Sequence, residues 1–285
     1  MPAPYLVLAV GGTGESWPGD TRTDVAGMLR YITRELDDRF ESRWVGYDSA
    51  YGMLPALVGV SYASSVHRGV TALLAAIRAD DRPVVLIGYS QGAAVITTLL
   101  QLLAQGHWPD VVERIVGTVH LANPLRQPGV CLNGGVPGYG IALRYDDGVS
   151  PIAGAYNIVP VAEIAHPDDV IASADPDSLL RTLAVVTEFM SFVDLAAWGT
   201  SLAAAAKAVD WRVQAETWRD VAYQADRFRR ASVEAGGYLT GRHTSYNVER
   251  VAGAGPTYTK LAAMWISATV EDWEEQGTYV EEDAA

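Results

Sequence analysis

The sequence is poor in cysteine, basic charge and histidine, and each shortage excludes something. Cys131 is the single cysteine of 285 residues, so neither an intrachain disulfide nor a cysteine-based metal cluster is available. Lysine and arginine number 21 against 34 aspartates and glutamates, a net charge of −13. A nucleic-acid partner needs a basic face to neutralise phosphate, and this balance argues against one. Seven of the acids (Glu271, Asp272, Glu274, Glu275, Glu281, Glu282 and Asp283) follow Lys260, the last basic residue. Much of the acidity therefore reads as a solvated end of the chain. The opening MPAPYLVLAV lacks a basic n-region and a long apolar stretch, so it reads as a first strand rather than an export signal.

Residues 83–109 carry no Asp, Glu, Lys or Arg and imitate a membrane span. GYSQG interrupts them, which fits a buried strand, a sharp turn and a buried helix better than one apolar helix. With 49% hydrophobic and 19% charged residues, the chain can bury a substantial core.

Strand and helix signals alternate through the first 125 residues. Short apolar runs at 5–10, 43–47, 84–87 and 115–121 read as strands, and apolar spacing predicts helices over 23–39, 61–78 and 93–105. The run at 84–87 has no polar alternation, as expected of a parallel sheet covered on both faces. The fold class is therefore α/β, a central parallel sheet flanked by helices. Residues 127–151 read as a long surface loop, 156–164 as a further strand, 236–247 as a loop and 256–275 as the last helix. Residues 176–235, rich in alanine with long helical periodicity, read as a helical insertion. The whole chain reads as one domain over 1–285, with 277–285 as a flexible acidic tail.

The strongest motif is Gly88-Tyr89-Ser90-Gln91-Gly92, a G-x-S-x-G directly after a buried strand and before a helix. A serine on so tight a turn needs the residues two positions away on either side to be almost without side chains. Its hydroxyl then stands above the carboxyl end of the sheet, beside the free N–H groups of a helix N-terminus. Ser90 is the expected nucleophile.

A serine needs a base, and only five histidines can supply one. His67 and His107 lie in or at the end of helices, and His120 lies inside a strand. His166 precedes its neighbouring acids. His243, in a loop before the last helix, fits the order serine, acid, histidine. The acid comes from AHPDD, either Asp168 or Asp169, with Asp175 and Asp177 as weaker candidates. The oxyanion would be held by the N–H of Gln91 and by an N–H of the loop GGTGES, from Gly12 or Thr13. That loop has no lysine and completes no phosphate-binding pattern.

The set GGTGE, GYSQGA, NPLRQPG, AHPDD and a histidine closely followed by Tyr-Asn resembles the lysin B esterases of mycobacteriophages, α/β hydrolases related to cutinases. The resemblance runs over about residues 5–175 and resumes near His243. It implies a cutinase-like α/β-hydrolase fold with the helical insertion between acid and base. It also implies a serine esterase that cleaves the ester joining mycolic acids to arabinogalactan during phage lysis, with no metal or cofactor. By position, the acid falls on Asp169, three residues after a histidine and just before Val170-Ile171-Ala172-Ser173. The family context implies synthesis in the host cytoplasm and release to act on the envelope lipid layer, with no transmembrane segment. With a first strand this early, no separate N-terminal peptidoglycan-binding module is expected. Because a mycolic acid is long and apolar, part of the insertion's set Phe189, Trp198, Trp211 and Trp218 is expected to face the cleft.

Two departures from the pattern stand out. The family often has a histidine where this chain has Gly11, and cutinases carry disulfides that Cys131 alone cannot form. Another lipid esterase, of the cutinase or PE-PPE type, would use the same residues. An inactive hydrolase fold serving as a binding module would lack only the activated serine.

Overall fold

The computed structural model describes residues 3–50, 62–144, 150, 152–181 and 221–283. Five strands form one parallel sheet: β1 Tyr5–Val10, β2 Phe40–Trp44, β3 Val84–Tyr89, β4 Ile115–Leu121 and β5 Val161–Ile164, in the order β2-β1-β3-β4-β5. β1, β3 and β4 are buried at every position, as their unbroken apolar runs require.

Alternation along β1 divides the core in two. Tyr5, Val7 and Ala9 face one side, with Met28, Leu29, Ile32 and the last helix (α7, Tyr258–Asp283) through Ala262, Ile266 and Val270. Leu6, Leu8 and Val10 face the other, with α2 (Tyr62–Arg78) through Val66, Val70, Leu73 and Ile77, and α3 (Gln91–Ala104) through Val95, Ile96 and Leu99. The sheet is thus covered on both faces. The strand order reverses between β1 and β3, and the crevice at such a reversal is where open α/β sheets bind ligands.

Several expected elements differ. The helix expected over 23–39 shortens to α1, Arg30–Thr33. Gly27 takes φ +58° and stops helical backbone from starting earlier, while the Met28 N–H is spent on the Glu15 carboxylate. The second strand is Phe40–Trp44 rather than 43–47. The run expected as a strand over 156–164 opens with a 3-10 turn, Ala153–Tyr156, and only Val161–Ile164 joins the sheet.

After α4 (Pro109–Val112) and α5 (Val170–Ser173) comes α6, Val221–Leu239, which runs through Gly236 and Gly237 where a loop was expected. The last helix reaches Asp283, so most of the segment expected as a flexible tail is helical. The rest of the expected insertion, with Phe189, Trp198, Trp211 and Trp218, lies outside the described residues. No helix among the described residues is long and apolar enough to cross a membrane.

Candidate active site

The turn between β3 and α3 puts Ser90 at φ 54°, ψ −118°, a conformation costly for any residue with a Cβ. Two glycines make it possible. A Cβ on Gly88 would lie 2.7 Å from the backbone nitrogen of Ala93, and one on Gly92 would overlap the carbonyl of Val10. The turn is pinned to the sheet by the Ser90 N–H, which donates to the Leu121 carbonyl at 2.9 Å. The Ala93 and Ala94 N–H groups both turn back to the Ser90 carbonyl.

His243 lies in a 3-10 turn, Arg242–Thr244, just after α6. Its Nε2 is 2.9 Å from Ser90 Oγ. Its Nδ1 is 2.9 Å from Asp169 Oδ2 and 3.1 Å from Oδ1. A carboxylate only accepts, so Nδ1 carries the proton and Nε2 offers its lone pair to the serine hydroxyl. Two tyrosine rings stack on the imidazole, Tyr89 at 5.2 Å between centroids and 25° between planes, and Tyr238 at 5.8 Å and 29°.

Asp169 is fully buried and caps the N-terminus of α5, accepting the Ile171 N–H at 3.1 Å. Its Oδ2 also accepts the Tyr246 hydroxyl at 2.6 Å, and that hydroxyl accepts the His166 N–H at 3.0 Å. Burial and the adjacent Asp169 push the Tyr246 hydroxyl well above the ordinary tyrosine range, so it stays a donor. The NPLRQPG segment supports the same region. Arg126, fully buried, donates to the carbonyls of Ala172 in α5 and of Val130, Pro137 and Gly138.

The competing residues stand elsewhere. Asp168 is exposed, Asp175 pairs with Arg230, and Asp177 is exposed. His67 and His107 are exposed. His120 is buried against Glu163 at 2.8 Å, and the His166 ring meets Glu249 at 2.8 Å.

Of the three residues expected as oxyanion donors, the structure gives one another task. The Gly12 N–H donates to Glu15 Oε2 at 2.7 Å, because the loop turns back there and buries the glutamate. The N–H groups of Gly14, Glu15 and Ser16 are likewise taken, by Ser49, Gly12 and Ser49. From Gly12 to Ser16, Thr13 alone has an N–H without a partner among the described residues. At the start of α3 the Gln91 N–H has no intrahelical acceptor. The two side chains are also joined, Thr13 Oγ1 donating to Gln91 Oε1 at 3.1 Å.

Above these groups lies a cavity of about 650 Å³. Ser90, Gln91, His243, Thr13 and Glu15 line its polar part, and Met28, Tyr31, Pro124, Ile141, Ala142 and Ile171 its apolar part. Its size is that of a small-molecule site. Among the supports that sequence reasoning missed are Glu15, Tyr238 and the Tyr246 hydroxyl. Tyr246 had a signal, the Tyr-Asn close after the histidine; the other two had none.

Chemically, a serine hydroxyl bonded to an imidazole that is bonded to a buried carboxylate can lose its proton as it attacks a carbonyl.

A family model described as the PE-PPE domain matches residues 45–158, which include the Ser90 turn but neither Asp169 nor His243. Among solved structures, lysin B from Mycobacteriophage D29 aligns with a TM-score of 0.51 at 18% identity, covering 93% of this chain and 99% of that one. A cutinase-like protein from Cryptococcus sp. aligns with a TM-score of 0.43 at 18% identity, over 59% of this chain and 78% of that one. An acetylxylan esterase gives 0.44 at 17% identity, over 66% and 90%. No curated protein matches the sequence. The lysin B likeness shows the fold alone, an α/β-hydrolase fold.

Proposed function

We propose that the protein is a serine esterase acting on a lipid ester through an acyl-enzyme, with Ser90 as nucleophile, His243 as base and Asp169 as the acid that orients it. The observation that carries this reading is His243 bridging Ser90 and Asp169 with 2.9 Å contacts on both sides.

Ser90 Oγ attacks the ester carbonyl and His243 Nε2 takes its proton. The carbonyl oxygen becomes an oxyanion, held by the N–H groups of Gln91 and Thr13. The intermediate collapses, the alcohol leaves with the proton from His243, and the acyl group stays on Ser90. His243 then takes a proton from water, which attacks the acyl carbonyl, and as this second intermediate collapses His243 returns the proton to Ser90 Oγ and the acid is released. Asp169 stabilises the imidazolium each time it forms. No step calls on a metal or cofactor.

Within this class the substrate is proposed to be the mycolyl ester of arabinogalactan, reached by release of the protein to the host envelope. Three things support it: the motif resemblance to lysin B esterases, the fold shared with lysin B from Mycobacteriophage D29, and the apolar part of the cavity. The chain is proposed to act as a single hydrolase domain, with 176–235 inserted between acid and base. The PE-PPE match over the elbow favours, as a second reading, a different lipid ester cleaved by the same residues.

Incubation with purified mycolyl-arabinogalactan tests the substrate. Free mycolic acid from wild type and none from Ser90→Ala supports it. Turnover of p-nitrophenyl esters without release of mycolic acid selects the second reading.

A further inference from the structure

We propose that Glu15 is a positioning residue of this site: its carboxylate latches the loop that carries the Thr13 oxyanion donor to the Gly27-Met28 wall of the cavity. The inference rests on the serine-esterase reading and deepens it.

Oε2 accepts the Gly12 N–H at 2.7 Å and Oε1 accepts the Met28 N–H at 3.1 Å. The chain turns back to make this possible, the Glu15 N–H donating to the Gly12 carbonyl at 3.1 Å. The carboxylate sits beside two glycines. A Cβ on Gly27 would overlap Oε1, and one on Gly11 would come within 3.0 Å of Oε2. Glycine at 27 is thus required twice, for its φ of +58° and for the space.

Burial pushes Glu15 above the ordinary glutamate range, while the N–H groups of Gly12 and Met28 oppose the shift. Two converging donors suit a group that only accepts. A glutamine in the same place can satisfy one of them and must turn its own NH₂ toward the other. The loop has a second strut through Thr13 Oγ1 and Gln91 Oε1. Gln91 Nε2 is in turn held by the Ala50 carbonyl at 3.1 Å and Ser65 Oγ at 2.9 Å.

Glu15 touches the loop on one side of Thr13 and Gln91 touches Thr13 itself. Between them they fix where the Thr13 N–H sits. Met28, held by the same carboxylate, lines the cavity beside it. A transition-state donor acts only from the right place, and a displacement of about 1 Å can cost on the order of 10²-fold in rate.

The test compares wild type, Glu15→Gln and Gly27→Ala, the last of which displaces the carboxylate without altering it. Reactive serines are counted with a fluorophosphonate probe. Then kcat per reactive serine and KM for p-nitrophenyl butyrate are measured, with Ki for an alkylboronic acid. Boron adds to the serine and places an oxygen where the oxyanion forms. Both variants should lose about 10- to 100-fold in kcat and weaken boronate binding by a similar factor, with KM within about twofold. Unchanged kcat per reactive serine and unchanged Ki overturn the inference, even if the melting temperature falls. A rise in KM alone also overturns it, since Glu15 would then shape only the cavity wall. If wild type itself neither labels nor turns over ester, the esterase reading has failed and the inference falls with it. Active wild type beside unaffected variants fails the inference alone.

Discussion

Tyr89 holds His243 in two ways at once. Its hydroxyl donates to the His243 backbone carbonyl at 2.7 Å, and its ring stacks on the imidazole at 5.2 Å. The residue before the expected nucleophile thus anchors the expected base, 154 positions away in the chain. The variable position of the elbow motif does the work of joining the turn to the His243 segment.

Tyr89→Phe keeps the stack and removes the hydrogen bond. Such a bond contributes about 0.5–1.5 kcal/mol, which is about 2- to 10-fold in rate if all of it acts on the position of His243. Steady-state kinetics on p-nitrophenyl butyrate should show that loss in kcat with little change in KM. An unchanged kcat would mean that stacking alone places the ring.

Tyr246→Phe should be destabilising as well as slow. It leaves one acceptor of buried Asp169 and the His166 N–H without their partner, at about 1–3 kcal/mol for each unsatisfied group. Urea unfolding at neutral pH measures the cost. A midpoint equal to that of wild type would show that water replaces the hydroxyl.

The two acids of AHPDD should separate cleanly. Asp169→Asn presents an NH₂ to His243 or to its other donors, disfavours the needed tautomer and should cost about 10⁴ in kcat. Asp168→Asn changes an exposed side chain and should leave kcat within about twofold of wild type. Comparable losses in both would remove Asp169 from its proposed role.

Acid should weaken the loop beyond Glu15 through Asp20. Arg22 bonds to the Asp20 carboxylate, and Ser16 and Trp44 donate to it as well. These partners hold it well below the ordinary aspartate range. A carboxylate lowered by folding stabilises the fold above its unfolded pKa of about 3.9, and loses that contribution as pH falls toward the folded value. Thermal melts below about pH 4 should therefore fall more steeply for wild type than for Asp20→Asn. Parallel curves would show that the ion pair does not carry the acid sensitivity.

The parts of this site written as local patterns were legible in the sequence. G-x-S-x-G after an apolar run locates the turn because both glycines are sterically forced, and few histidines leave His243 nearly by elimination. The choice of Asp169 over Asp168 needed a resemblance, since one step along the chain separates a buried carboxylate from an exposed one. The helix expected over 23–39 failed for a tertiary reason. Its apolar spacing is real, and Met28, Leu29 and Ile32 are buried, but Gly27 and the Met28 N–H are committed to Glu15. Glu15 itself was illegible, because nothing in GGTGES says that its acid folds inward. Gly236 and Gly237 misled in the opposite sense, since α6 passes through both.

The central claim, that Ser90 is an activated nucleophile, is tested most directly by mapping the site of covalent modification. The protein is treated with a p-nitrophenyl alkylphosphonate, the released p-nitrophenol is counted, and the labelled peptide is sequenced by mass spectrometry. The account predicts one p-nitrophenol per chain, the phosphonate on Ser90, and loss of labelling in His243→Ala. Labelling of a different serine, or none in folded protein, would contradict it.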